Sequence, residues 1–197
     1  NWAKDNIFTG VIEMDQHKLQ VDPHLSTGEY SLVVAPLENH RGFPLTTLRV
    51  DPLPRNFDPP KDVSETVDAQ FGDDIELLGY GIEQVMDSLF VELHWRALQQ
   101  PEEYYKVFVH LFDPRAGEVV AQHDAAPRDW SYPTDWWAKG EVVTEEISLS
   151  LSDVPSGRYR LGVGLYEPES GRRLDLTTSA RAESVSDRLV LTDVTIP

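Results

Sequence analysis

Residues 104–124, YYKVFVHLFDPRAGEVVAQHD, decide how the chain is built. Val107, Val109 and Leu111 alternate with Phe108, His110 and Phe112, so both faces of one extended segment carry apolar or aromatic groups. A strand of that kind needs cover on both sides, as a central strand has. DPRAG at 113–117 then supplies Pro for the opening of a type I turn and Gly for a position of positive φ. Together they predict a hairpin of strands 104–113 and 118–124.

The flanking sequence repeats the pattern. SLFVELHWRAL (88–98) sets Leu89, Val91, Leu93 and Trp95 on one face and Glu92, His94 and Arg96 on the other. RYRLGVGLYEP (158–168) groups Tyr159, Leu161, Val163 and Leu165, EPESG (167–171) makes a second turn of the DPRAG form, and RLVLTDVTI (188–196) adds a last strand. Period-two segments between turn signals, with no convincing helical period, predict an all-β chain: an antiparallel β-sandwich, Ig-like or jelly-roll-like.

Composition limits the partners. The 197 residues carry 34 acidic and 17 basic side chains, a formal charge of −17. Such a surface repels nucleic acid and anionic lipid. There is no cysteine, which removes disulfides and thiolate chemistry. The longest apolar run, YSLVVAPL at 30–37, falls far short of the ~20 residues that span a bilayer, so no direct membrane insertion is expected. Nothing in the residue pattern calls for a cofactor.

DPLPRNFDPPKD (51–62), with four prolines, reads as an extended linker. It sets the expected organisation: 1–53, a Pro-rich linker over 54–67, and a complete module over 68–197. The outer parts are related. Shifted by 129 positions, Gly28, Tyr30, Leu32, Val34, Glu38, Gly42 and Leu45 recur as Gly157, Tyr159, Leu161, Val163, Glu167, Gly171 and Leu174. Trp2-Ala3-Lys4 also recurs as Trp137-Ala138-Lys139. Residues 1–53 are therefore expected to be the C-terminal part of a preceding copy of the same module. Half a sandwich leaves edges and an apolar face open, which predicts packing or strand pairing with the complete module or a second chain.

The runs FGDDIELLGYGIE (71–83), LFVELHWRAL (89–98), YYKVFVHLFDPRAGEVVAQHD (104–124), YPTDWWAKGEVV (132–143) and PSGRYRLGVGLYEPESGRRL (155–174) resemble the soluble C-terminal region of predicted bacterial membrane glycosyltransferases of the dolichyl-phosphate-mannose protein mannosyltransferase type. The resemblance covers 71–197. It implies an extracytoplasmic β-sandwich tethered to a membrane domain that holds the transferase chemistry and would be this region's partner. No catalytic residue carries over.

RDWSYPTDWWAKG (128–140) offers the strongest candidate site. Trp130, Tyr132 and Trp136 present rings for a sugar, with Asp129 and Asp135 as hydroxyl acceptors. The competing reading is that these rings plug one end of the sandwich. Trp137, matched by Trp2, belongs to the framework with Trp95, Gly157 and Tyr159. His110, His123 and Asp124 are weighed as a zinc or catalytic trio and set aside, because their spacing matches no metal signature and no nucleophile elbow accompanies them. Asp73 and Asp74 lack a calcium loop, and Glu102-Glu103 and Glu145-Glu146 read as solvated edge charges. Arg158, Arg160, Arg172 and Arg173 around one hairpin are expected to balance neighbouring acids. The function expected is thus a non-catalytic module that binds glycan or acceptor; the alternatives are a structural spacer or protein-docking module and, third, a small hydrolase.

Overall fold

A computed structural model describes residues 25–34, 42–51, 54–178, 183–185 and 187–197. The chain divides into two compact units, Asn1–Leu53 and Pro54–Pro197. In the first, β1 (Gly28–Val34) and β2 (Phe43–Val50) pair antiparallel with a bulge after Leu32. Trp2, Ala3 and Lys4 lie outside the described residues.

The second unit holds β3 (Glu65–Phe71), β4 (Ile75–Val85), β5 (Ser88–Ala97), β6 (Lys106–Phe112), β7 (Val119–Ala125), β8 (Val142–Ser150), β9 (Gly157–Tyr166), β10 (Leu176–Thr178), β11 (Ser184–Val185) and β12 (Arg188–Ile196). They form two antiparallel sheets of orders β10-β3-β4-β5-β8 and β11-β12-β9-β6-β7. Leu77, Leu93, Trp95 and Val143 from one sheet and Val109, Leu111, Leu161 and Val163 from the other are all at most 1% exposed. This is the expected all-β sandwich.

The predicted hairpin forms as β6–β7. Asp113 Oδ1 accepts the amides of Arg115 and Ala116, and Gly117 takes a φ of +72° that a side chain would resist. EPESG closes in the same way, with Gly171 N–H on the Glu167 carbonyl at 2.8 Å. Beyond that turn the chain leaves its sheet, because β10 pairs with β3 on the other side of the sandwich.

β6 is buried on both faces, as its sequence requires. Its outer cover is made of side chains. A Cβ at Gly164 would lie 2.3 Å from Phe108 Cζ, so glycine in β9 leaves that ring its seat. The Arg173 and Arg188 guanidinium groups then cap Phe108 and Phe112 at 4.7 and 4.1 Å from the ring centroids.

Residues 54–64, which open the second unit ahead of β3, contain no strand but are fastened to its later segments. Asn56 O accepts the Val142 amide at 2.7 Å, and Arg55 reaches into the loop described next.

Candidate functional site

The segment between β7 and β8 is built around one buried carboxylate. Glu141, 2% exposed, accepts the Tyr132 hydroxyl on Oε1 at 2.7 Å. Its Oε2 accepts the Ala138 amide at 2.9 Å and pairs with Arg55 at 2.5 Å. The same Arg55 nitrogen donates to the Trp136 carbonyl at 2.9 Å. A buried carboxylate surrounded by donors and a cation satisfies its charge, and it fixes the loop's far end. Burial, followed by the Glu141 hydrogen bond, pushes the Tyr132 hydroxyl up to about 12.

The loop's four rings separate into distinct environments. Trp137 is fully buried with its indole N–H on the Tyr132 carbonyl at 3.1 Å. Tyr132 is 5% exposed and engaged at its hydroxyl, so it offers no open face for stacking. Trp136, in a short 3-10 turn over Thr134–Trp136, is half-buried and packs edge-on to Tyr132. Trp130 is 55% exposed, with the Lys106 ammonium 4.4 Å from its ring centroid. The three-ring platform expected from sequence therefore reduces to Trp130, with exposed Asp129 adjacent. Asp135 sits half-buried in the 3-10 turn, where its charge acts on Tyr104 after burial and Tyr166 in raising that hydroxyl's pKa.

Arg128, Asp129 and Trp130 all have left-handed backbone, with φ of 54°, 49° and 70°. For residues with a side chain this costs roughly 1–2 kcal/mol each, somewhat less for Asp. Surrounding bonds hold the strain. Trp130 N–H donates to Ala126 O at 3.0 Å and Tyr132 N–H to Pro127 O at 3.1 Å. Ser131 Oγ donates to Arg128 O at 2.7 Å, and Arg128 Nε donates to Thr144 O at 3.2 Å.

Beneath the turn lies Glu145. Its reading as a solvated edge charge is overturned: it is 1% exposed and sits opposite Leu93 in the β5–β8 ladder, whereas Glu146 is exposed. It accepts the Trp95 indole N–H on Oε2 at 3.3 Å, while its buried Oε1 has no hydrogen-bond partner among the described residues. Burial raises its pKa to about 7, with the Trp95 hydrogen bond and the nearby Arg128 opposing that rise. Strand parity carried the signal, since Val143, Glu145, Ile147 and Leu149 share one face. Glu141 and Arg55 were missed as well, and Arg55 had no such signal within a proline-rich run.

The remaining candidates do not converge. His110 and Asp124 lie 3.6 Å apart, but His123 is paired with Val109, one step out of phase with Asp124 opposite Phe108. Burial lowers the His110 pKa, Asp124 opposes that, and Arg188 and Arg173 add to it. Asp74 accepts Tyr105 Oη at 3.1 Å and Gln99 Nε2, tying its turn to the segment between β5 and β6. Arg160 pairs with Glu183 and Asp193, and Arg172 approaches Glu167. Among the described residues no group of three His, Asp or Glu side chains is placed to hold a metal, and no helix is long and apolar enough to cross a membrane. A shallow groove beside β3 and β12, lined by Asp68, Tyr80, Arg160, Glu183 and Asp193, has its cation already engaged by acids.

No protein-family model matches the chain, and no curated protein or solved structure shows significant similarity to it.

Proposed function

We propose that the chain is a non-catalytic, extracytoplasmic β-sandwich module of a membrane glycosyltransferase and that it binds glycan through Trp130. The observation that carries the binding is an exposed indole held at a left-handed φ of 70° by a braced turn. Backbone strain retained around an exposed aromatic is a reason to look for function there. A fixed ring loses little freedom on meeting a flat sugar face, and Asp129 beside it supplies a hydroxyl acceptor. The membrane tether and extracytoplasmic side rest on the resemblance of the strand-and-turn motifs over 71–197.

A glycan array probed with the full chain tests this, with follow-up titration of any oligosaccharide retained. Trp130→Ala is expected to weaken binding by at least about tenfold, roughly the 1–3 kcal/mol that an aromatic contact supplies. Phe90→Ala, which removes another exposed ring, on β5, leaves binding unchanged. Binding that is indifferent to Trp130→Ala would sink the proposal.

The burial of Tyr132 and Trp137 favours a second reading, a structural spacer or protein-docking module in which the loop is only a plug. An array that retains no glycan decides for it.

A further inference from the structure

The strand pair of the first unit repeats a pair in the second, step for step. In β1–β2, Gly28 faces Val50, Tyr30 faces Leu48 and Leu32 faces Thr46; after a bulge that skips Leu45, Val33 faces Pro44 and Val34 faces Phe43. In β9–β12, Gly157 faces Ile196, Tyr159 faces Val194 and Leu161 faces Thr192; after a bulge that skips Leu191, Gly162 faces Val190 and Val163 faces Leu189. A bulge can sit at any step of a ladder, so its recurrence beside matched residues is not a consequence of strand composition.

The corner leading into each pair also recurs. Tyr30 Oη donates to Ser26 O at 2.8 Å, and Tyr159 Oη donates to Pro155 O at 2.9 Å, four residues back in both cases. Each ring lies against the glycine two residues before it: a Cβ at Gly157 would crowd Tyr159 at 3.2 Å, and one at Gly28 would touch Tyr30 at an ordinary 3.5 Å. The structural counterpart of Leu45 is thus Leu191, not the Leu174 that an ungapped alignment selects.

Burial differs sharply between the pairs. Val163, Leu189, Leu191 and Val194 are at most 8% exposed, under the facing sheet. Their counterparts Val34, Phe43, Leu45 and Leu48 are apolar too, yet 54%, 72%, 61% and 40% exposed. On its other edge β9 is held by β6, with Leu161, Gly162 and Val163 opposite Leu111, His110 and Val109. Among the described residues β1 has only β2 as a neighbour.

We infer that residues 28–50 are the closing strand pair of a second sandwich of this type, and that the outer edge of β1 takes an antiparallel strand patterned like β6. The apolar face of the pair then lies under that sandwich's facing sheet. One position sets specificity. Gly162 leaves space for Phe112, to which a Cβ would come within 3.2 Å, and Val33 stands in its place on β1. The incoming strand therefore carries a residue smaller than Phe at the position equivalent to 112.

The probe is a synthetic peptide of residues 104–125 carrying Phe112→Ala, titrated into isotope-labelled full-length chain and read by amide shifts and hydrogen exchange. The expected result is shifted, slower-exchanging amides over 31–34, with the unsubstituted peptide binding more weakly. Val34→Asp in the full chain abolishes the effect while the resonances of 54–197 stay in place. Unchanged amides over 31–34 at saturating peptide overturn the inference, as do changes confined to β9. A chain that is already dimeric, with 31–34 protected before peptide is added, overturns it in favour of a second copy as occupant.

Discussion

Glu145 makes the sandwich interior sensitive to pH. Its pKa in the fold is about 7, raised by burial, so the folded state holds its proton more tightly than an unfolded chain does. Between the ordinary glutamate range and about 7 the folded state therefore binds more protons, and stability falls as pH rises through that window. The full effect is on the order of 3 kcal/mol. Glu145→Gln is expected to flatten this slope and to stabilise the protein above pH ~7 by about 2 kcal/mol, since an amide oxygen still accepts from the Trp95 indole. Urea midpoints measured at several pH values check it; a slope unchanged by the substitution would place the titrating group elsewhere. The parity of 143–149 already aimed this side chain inward. What no local pattern conveyed was that a core would accept it, which depends on an indole N–H fifty positions earlier.

At the level of elements, hairpins were the most legible feature because their turn chemistry is local. DPRAG and EPESG announce their own geometry through Asp or Glu, Pro and Gly. The β4–β5 turn does not. Met86, 88% exposed, occupies a two-residue connection at φ 50°, where glycine or asparagine would be expected. Met86→Gly is predicted to stabilise the protein by about 1 kcal/mol by removing that strain, with an unchanged dependence of stability on denaturant. A destabilised Met86→Gly variant would mean that the methionine side chain makes a contact that outweighs its backbone. The exit of the chain after β9 to pair β10 with β3 was equally hidden, since a strand crossing between sheets leaves no mark in a period-two pattern.

For the molecule as a whole, alternation and turn spacing made the sandwich class readable, whereas the tethering of 54–56 was not. A proline-rich run is extended either way, and only a buried acid waiting at Glu141 turns Arg55 into an anchor. Arg55→Ala strips the cation from a carboxylate that is 2% exposed, which is expected to cost the second unit about 2–4 kcal/mol. Arg55→Lys should restore part of that loss. Chemical denaturation of both variants checks the order, and an Arg55→Ala protein as stable as the parent would show that the ion pair adds nothing to the fold. Of the aromatic loop, sequence identified Trp137 as framework and Trp130 as a candidate, but ring exposure depends on tertiary packing and could not separate Tyr132 from Trp130.

The two-sided burial of β6 also has a consequence for synthesis. β6 ends at Phe112, but β9, which fills its second edge and seats Phe108, is complete only at Tyr166. At roughly 5–20 residues per second the ribosome leaves that strand half-paired for several seconds. During this interval an apolar ribbon with an open edge is exposed to whatever else is in the compartment. Chain growth thus opens a period of aggregation risk that the finished β6 does not have, and a factor that shields nascent β-strands should raise the protein's yield.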